Sequence, residues 1–287
     1  MPSKDENVHS AGSNSPHASD AASQGTTDTT ETGTRSTTRQ ATSKVSADRA
    51  TSSTIALPPG IKPYYSKDGI VIIHGDCREI LPTIEADCCI TDPPYGETTH
   101  AGARTGAVDE VLVDFEPITA DELRATLSMV RVRRWMVATV EWRHMLPLEQ
   151  APPVGMRFVR FGVWVKPNGA PQFTGDRPGT GWEAVAILHR EGPMRWNGGG
   201  RHGVWTFPKI AGQHSTQKPI RLAHEFVHLF SDEGDTILDP FMGSGTTLRA
   251  AKDCGRRAIG IEIEERYCEI AANRMRQGVL FGQEGGP

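Results

Sequence analysis

Residues 236–262 read TILDPFMGSGTTLRAAKDCGRRAIGIE, and this stretch decides the fold. The apolar run 236–238 predicts a buried strand, and the run 258–261 predicts another. Between them, residues 246–253 have helical spacing and follow a turn that contains two glycines. A strand, a helix and a strand in this order predict a β-α-β unit with parallel strands.

The same alternation extends through most of the chain. Apolar runs predict further strands at 70–73, 88–91, 135–140, 159–165 and 184–188. Helical spacing predicts further helices at 121–131, with Thr119 or Asp121 as the cap, at 220–230 and at 265–277. Together these elements predict an α/β fold with a doubly wound, mainly parallel sheet of seven strands. Ligands of such sheets bind at the carboxyl ends of the strands.

Residues 1–54 differ in composition from the rest of the chain. They are mostly small and polar, and Met1, Val8 and Val45 are their only large apolar residues. Such a segment buries too little surface to offset its chain entropy, so we predict a disordered low-complexity tail at 1–54 and a folded domain at 55–287. The tail lacks the apolar run of a signal peptide, and no later run has the length of a membrane span. We therefore expect a cytoplasmic protein.

Charge and cysteine content exclude two further classes. The formal net charge of the 287 residues is -4, which argues against a protein that coats nucleic acid through a broadly basic surface. The five cysteines form no CxxC pair, and Cys88 and Cys89 lie inside a predicted strand. We therefore expect neither a metal site nor a disulfide framework.

The turn 239–247 is the strongest cofactor signal in the chain. Gly243 and Gly245 allow the backbone to approach a ligand, and the following helix start attracts a carboxylate or a phosphate. No lysine follows Gly245, which argues against a nucleoside triphosphate, and the full dinucleotide fingerprint is missing. Glu262, at the tip of the next predicted strand, suits the two hydroxyls of a ribose. S-adenosylmethionine meets these conditions, and the alternative is a plain strand–turn–helix with two structural glycines.

A second stretch, TDPPYGE at 91–97, predicts an unusually rigid turn. It follows the predicted strand 88–91, and its prolines fix the backbone and remove hydrogen-bond donors. Asp92, the carbonyl of Pro93 and the ring of Tyr95 are thereby held close together.

These motifs together resemble the DNA amino-methyltransferases that use S-adenosylmethionine. More specifically, the chain looks like their circularly permuted subgroup, in which the target-base motif precedes the cofactor motif. The resemblance covers about 70–280, with a gap in the middle, and its specific parts are DPPY at 92–95, DPFMGSGT at 239–246 and HSTQKP at 214–219. HGD at 74–76 and GIE at 260–262 support them. The resemblance implies a Rossmann-like methyltransferase sheet.

The resemblance also implies roles for single residues. Asp239 would face the methionine amino group, Glu262 would hold the ribose and Asp76 would bind the adenine of the cofactor. Thr216 and Lys218 would sit beside the methionine end, although a solvated surface lysine is the alternative for Lys218. The remaining cofactor-binding residues would come from the glycine turn, namely Phe241, Gly243, Gly245 and Thr246.

The DPPY turn, Asp92 to Tyr95, suits an exocyclic amine of a nucleobase. Such an amine is a poor nucleophile, because its lone pair is delocalised into the ring. Asp92 and the Pro93 carbonyl would accept its hydrogens and stabilise the charge that develops, while Pro94 keeps the turn rigid. Tyr95 would stack on a base that is flipped out of the helix. The alternative is that Asp92 caps the turn and Tyr95 belongs to the core.

The acidic first residue of DPPY favours N6 of adenine over N4 of cytosine in this family. Methyl transfer to RNA or to a protein amide stays open as well, as does an inactive DNA-binding relic. We expect duplex DNA as the partner, and a homodimer stays open. The glycine-rich stretch at about 190–213 is the candidate DNA-contacting loop, and the alternative is a surface loop with a tucked tryptophan. Its candidate residues are Arg195, Trp196, Arg201 and Trp205.

Overall fold

The computed structural model describes residues 54–94, 118–169, 171, 174–210 and 217–278. Nearly all of the predicted tail therefore lies outside the described residues, as do Tyr95 and Thr216. The strands are β1 (Tyr65–Lys67), β2 (Ile70–His74), β3 (Glu85–Ala86), β4 (Cys88–Thr91), β5 (Arg131–Val132), β6 (Trp135–Val140), β7 (Met156–Val165), β8 (Trp182–Arg190), β9 (Val204–Thr206), β10 (Thr236–Asp239) and β11 (Arg257–Glu262). The helices are α1 (Cys77–Ile80), α2 (Ala120–Ser128), α3 (Met145–Gln150), α4 (Ile220–Phe230), α5 (Thr246–Asp253) and α6 (Glu265–Arg276).

One large sheet contains nine of these strands, in the order β1-β2-β11-β10-β4-β6-β8-β7-β9. Strands β2, β11, β10, β4 and β6 are parallel to one another, and β8 runs antiparallel between β6 and β7. The seven longer strands confirm the predicted sheet. The three-residue strands β1 and β9 extend it at the two edges, while β3 and β5 pair separately.

The central strands are apolar throughout because helices cover both faces of the sheet. Every residue of β4 and β10 is buried. Successive residues point to opposite faces, so Ile237 packs in a core with α4, α5 and α6, whereas Leu238 packs in a core with α2 and α3. This two-sided burial is typical of parallel sheets in α/β proteins.

The direction of the chain reverses between β4 and β10. From β4 the chain crosses through α2 to β6 on one side, and from β10 it crosses through α5 to β11 on the other side. Two neighbouring strands whose connections leave in opposite directions open a crevice at their carboxyl ends. This constraint places the candidate site.

The helix predicted at 121–131 has different ends in the structure. It begins at Ala120, with Thr119 in a capping box with Glu122, and ends at Ser128. Its predicted last residue, Arg131, instead starts β5, where the backbone pairs with β3. Within the described ranges, no helix is long and apolar enough to cross a membrane.

Gly260 of β11 provides a test of packing next to the site. A Cβ there would lie 2.5 Å from Met242 Sδ and 2.8 Å from a methyl carbon of Leu248. We expect Gly260→Ala to lower the free energy of unfolding by about 1–3 kcal/mol, because overpacking a filled core forces side chains out of their rotamers. Gly200→Ala is the matched control, since a Cβ there meets nothing within 4 Å. Equal urea midpoints for the two variants would contradict this account of the packing.

Candidate active site

A cavity of about 820 Å³ opens at the carboxyl ends of β4 and β10. This volume lies in the range of small-molecule sites, roughly 300–1,000 Å³. Its lining includes most of the residues that the sequence predicted: Asp76, Asp92, Pro93, Pro94, Lys218, Asp239, Phe241, Gly243, Thr246 and Glu262.

Asp92 is the first residue after β4 and is held by two side chains. Its Oδ1 accepts a hydrogen bond from Thr139 Oγ1 at 2.5 Å and lies 2.8 Å from Lys218 Nζ. Thr139 belongs to β6, the parallel neighbour of β4, so the sheet register places it beside the turn. Pro93 is buried, which anchors the turn from the other side. The direction of the carboxylate is therefore set by the sheet, by the lysine and by the proline.

Lys218 contacts a second carboxylate, that of Glu183, at 3.0 Å. Glu183 also lies 3.1 Å from Lys166 Nζ. Burial raises the pKa of Glu183, but the two ammonium groups outweigh burial and bring its pKa down to about 2. Burial lowers the pKa of Lys218, but Asp92 and Glu183 more than offset this, so its pKa is raised. Lys218 is therefore a cation of the site, not a solvated surface lysine.

Asp239 is the last residue of β10, and it is 2% exposed. Its Oδ1 accepts a hydrogen bond from Thr91 Oγ1 at 2.7 Å and one from the backbone N–H of Phe241 at 3.2 Å. Burial raises the pKa of Asp239 to about 7, even though these hydrogen bonds act to lower it. A buried acid of this kind gains most from a ligand that brings a positive charge.

Glu262 joins the end of β11 to the glycine turn. Its Oε2 accepts a hydrogen bond from Gly243 N at 2.9 Å, and its Oε1 accepts one from Glu264 N at 2.9 Å. Gly243 has a φ of 49°, which favours glycine, and a Cβ there would meet nothing within 4 Å. The backbone of the turn therefore faces the cavity without a side chain in the way. Burial raises the pKa of Glu262.

Asp76 lies just after β2 and serves as the N-cap of α1. Its Oδ1 accepts a hydrogen bond from Arg78 N at 2.9 Å. The side-chain hydrogen bond from Arg78 lowers the pKa of Asp76. Acidic side chains thus lie at the carboxyl ends of four adjacent parallel strands, β2, β11, β10 and β4.

Comparison with known proteins shows which family the chain resembles. A family model for N6/N4 methyltransferases, described as DNA methylase, matches residues 188–273. Type II methyltransferase M2.LlaDCHI of Lactococcus lactis subsp. cremoris is 29% identical over 259 residues, which are 77% of this chain and 94% of that protein. Type II methyltransferase M2.DpnII of Streptococcus pneumoniae is 29% identical over 252 residues, which are 75% of this chain and 92% of that protein. The chain is therefore similar to DNA methylases of the N6/N4 family.

The fold is similar to that of a solved structure. The structure of M1.HpyAVI in complex with SAM (S-adenosylmethionine) matches with a TM-score of 0.55 at 24% identity, and it covers 72% of this chain and 100% of that one. The Rossmann-like fold is thereby confirmed, and the sequence matches above support the expected resemblance to DNA amino-methyltransferases. In this chain the DPPY sequence precedes the glycine turn, but membership of the permuted subgroup stays a prediction.

Gly245 is the described residue of the glycine turn whose predicted contact with the cofactor is corrected. It does not line the cavity. Its φ is 79°, and a Cβ would lie 2.9 Å from Ala271 Cβ. Gly245 therefore starts α5 and lets α5 pack closely against α6.

The predicted DNA-contacting loop also requires correction. The carbonyl of Arg195 accepts a hydrogen bond from Trp135, the first residue of β6, and its side chain lies 3.3 Å from Asp232, which precedes β10. Trp196 packs on Phe230 with ring centroids 5.0 Å apart. Both contacts lie at the amino ends of the parallel strands, opposite the cavity. These two residues are therefore not placed to meet a base in the active site.

Trp205 and Arg201 also have structural partners. Trp205 lies in β9, is 3% exposed and packs edge-to-face on Phe226 at 5.0 Å. It is a core residue, as the tucked-tryptophan alternative expected. Arg201 pairs with Glu225 of α4 at 2.8 Å.

The sequence did not reveal three side chains of the site: Thr139, Lys166 and Glu183. Lys166 follows the predicted strand 159–165, and Glu183 precedes the predicted strand 184–188. Because β8 is antiparallel to β7, Glu183 pairs with Trp164 at the edge where β7 ends. If β7 and β8 had been predicted as an antiparallel hairpin, Lys166 and Glu183 would both have been placed where the parallel strands have their carboxyl ends.

Asp239 predicts a pH-dependent stability. Its pKa is raised in the folded state, so the folded protein binds a proton that the unfolded chain has released. The free energy of unfolding should therefore fall as pH rises from about 4 to about 7, by up to about 4 kcal/mol from this group. Asp239→Asn cannot titrate, so it should flatten this part of the curve when urea unfolding is measured from roughly pH 4.5 to 7.5. Parallel curves for the two proteins would show that Asp239 ionises normally.

Proposed function

We propose that this protein transfers a methyl group from S-adenosylmethionine to the exocyclic N6 amine of an adenine that is flipped out of duplex DNA. The observation that carries this proposal is the single cavity shared by Asp92 of the DPPY turn and by Asp239 and Glu262 of the cofactor motif. These residues end three neighbouring strands, so a donor and an acceptor of the methyl group can meet between them.

The residues of the cavity fit S-adenosylmethionine. Glu262 offers carboxylate oxygens to a ribose, and the buried Asp239 offers a counter-charge to the amino group of the methionine part. Asp76 lies beyond Glu262 in the sheet, on the side suited to the adenine ring. When bound, S-adenosylmethionine supplies a methyl group on a positively charged sulfur. The solved complex of M1.HpyAVI with SAM supports this assignment.

The DPPY turn supplies two hydrogen-bond acceptors that make the amine a better nucleophile. The carboxylate of Asp92 and the carbonyl of Pro93 accept hydrogen bonds from the amine, which directs its lone pair toward the methyl group. The nitrogen becomes positively charged as it bonds to the methyl group, while the carbon–sulfur bond breaks and its electron pair goes to sulfur. The nitrogen then loses a proton to water. A fixed carboxylate stabilises that charge without having to reorganise. Catalysis is then mainly alignment, and it needs no thiolate.

The cysteines of the described residues agree with this chemistry. Burial raises the pKa of Cys88 to about 12 and that of Cys77 to about 11. Neither thiol ionises near neutral pH, so neither serves as a nucleophile.

The choice of adenine rests on Asp92, since an acidic first residue of this motif favours N6-adenine in the family. The family model covers both N6 and N4 enzymes, so N4 of cytosine is the second candidate. Duplex DNA as the substrate, and a homodimer as the assembly, follow from the resemblance and stay predictions.

The target base can be read directly. The protein is incubated with duplex DNA and cofactor labelled in the methyl group, and the DNA is digested to nucleosides. We expect label in N6-methyl-2′-deoxyadenosine, at one sequence context when the DNA is sequenced. Label in N4-methylcytosine would overturn the adenine assignment. Transfer to RNA or protein but not to DNA, or cofactor binding without any transfer, would overturn the proposal as a whole.

Asp92 and Glu262 should separate catalysis from cofactor binding. We expect Asp92→Ala to lower kcat by about 10²–10³-fold or more, because it removes an acceptor of the charged amine. The Kd for S-adenosylmethionine should change by no more than about twofold, because Asp92 faces the base. Glu262→Gln should do the opposite and raise that Kd by about tenfold or more, since it loses hydrogen bonds to a charged acceptor. Calorimetric Kd values and single-turnover rates check both, and a loss of cofactor affinity in Asp92→Ala would refute the division.

A further inference from the structure

Four charged side chains alternate in sign along one wall of the cavity. Lys166 Nζ lies 3.1 Å from Glu183, Glu183 lies 3.0 Å from Lys218 Nζ, and Lys218 Nζ lies 2.8 Å from Asp92. The side chains come from β8, from the ends of β7 and β4, and from the segment before α4. All four line the cavity. Two positive and two negative charges therefore balance within this series of ion pairs, which we call the charged wall.

Three of the four side chains in the charged wall are well enclosed, and Asp92 is the most exposed. The side chains of Lys166, Lys218 and Glu183 are 7%, 13% and 18% exposed, whereas that of Asp92 is 30% exposed. The ring of Trp164 lies 5.7 Å from each ammonium group. Charges in such surroundings are costly when one partner is removed, because the other is left uncompensated. Glu183 contacts both lysines, so its removal affects both.

We propose that Glu183 is a positioning residue that acts through Lys218 to fix the Asp92 carboxylate toward the target amine. This inference rests on the proposed methyl transfer. Without Glu183, Lys166 and Lys218 lose the negative charge between them, and their mutual repulsion moves Lys218 relative to Asp92. With Glu183 in place, Lys218 keeps a carboxylate partner even while Asp92 engages the amine. The target base can then donate hydrogen bonds to Asp92 without leaving a buried cation unpaired.

The charges around Lys218 support this role. Asp92 and Glu183 face it with negative charge, and Lys166 lies beyond Glu183 with positive charge. The pKa of Lys218 is raised in spite of burial because of the two carboxylates. Removing one carboxylate therefore lowers the pKa of Lys218 and brings loss of the cation closer to neutral pH.

The first experiment measures single-turnover rates against pH at saturating DNA and cofactor. We expect Glu183→Gln to lower kcat by about tenfold to a hundredfold, because a small misplacement of a catalytic group has effects of this size. The Kd for S-adenosylmethionine should stay within about twofold. In Glu183→Gln the alkaline fall of kcat should move to lower pH. Glu183→Asp keeps the negative charge, so its kcat should fall at the same pH as that of the wild type. A merely structural role would not move the pH profile.

The second experiment does not depend on methyl transfer. Lysines are labelled with acetic anhydride at a series of pH values, and each lysine is quantified by mass spectrometry. We expect Lys218 to react at lower pH in Glu183→Gln than in the wild type. Asp68→Asn is the matched control, because it removes the carboxylate that pairs with Lys252 at 3.2 Å, away from the cavity. In that variant Lys218 should react as it does in the wild type.

A double variant in which the charges of the wall still balance controls for misfolding of Glu183→Gln. Glu183→Gln alone leaves an excess positive charge in the wall, whereas Glu183→Gln combined with Lys166→Gln leaves only the pair of Lys218 and Asp92. The double variant should fold as well as the wild type. It should keep a smaller shift of the pH profile and of the Lys218 labelling, because the repulsion from Lys166 is gone but Lys218 still lacks the carboxylate of Glu183.

The outcomes separate this inference from the proposed function. An inactive wild type with an altered Lys218 labelling pattern in Glu183→Gln would refute the methyl transfer and leave the charge link intact. An active wild type whose pH profile and Lys218 labelling are unchanged in both Glu183→Gln and the double variant would overturn the role of Glu183.

Discussion

The hydrogen bond from Thr91 to Asp239 is the constraint on which the rest of the site depends. It joins the last residue of β4 to the last residue of β10 at 2.7 Å, in a place closed to water. Asp92 follows directly on one strand, and the glycine turn follows directly on the other. Because both strands are buried and parallel, the spacing of the sheet fixes the distance between Asp92 and the glycine turn. A loop could not hold that distance with the same precision.

The sequence was sufficient for the framework of the molecule. Strand–helix alternation predicted the sheet, and Asp239 and Glu262 could be placed because parallel strands all end at one edge. Gly243 was recognised from its turn, and the structure adds the reason, a backbone N–H that donates to Glu262. These predictions succeeded because each depends on local pattern together with one general rule of topology.

The predictions that failed depended on long-range packing. Trp196 and Trp205 lie in a glycine-rich stretch with basic neighbours, a pattern that also fits a nucleic-acid-binding loop. What distinguishes them is the partner ring, Phe230 for one and Phe226 for the other, more than twenty residues further along the chain in α4. Glu183 was missed for a similar reason, since its importance depends on Lys218 and on the reversed direction of β8. Residues of this kind become recognisable only when the pairing of strands is known.

The reversed strand has one more consequence, for where such a protein can accept a longer loop. Residues 167–181 leave the sheet after Lys166 and return before Trp182, and a hydrogen bond from Lys166 N to Gly181 O closes their base at 2.7 Å. The two ends of the connection are therefore tied together by the sheet, next to Lys166 and Glu183 of the cavity lining. Doubling the length of a closed loop costs only about 0.6 kcal/mol. The hairpin thus gives the protein an insertion point, where a longer loop can be added or exchanged while the sheet beneath it stays unchanged.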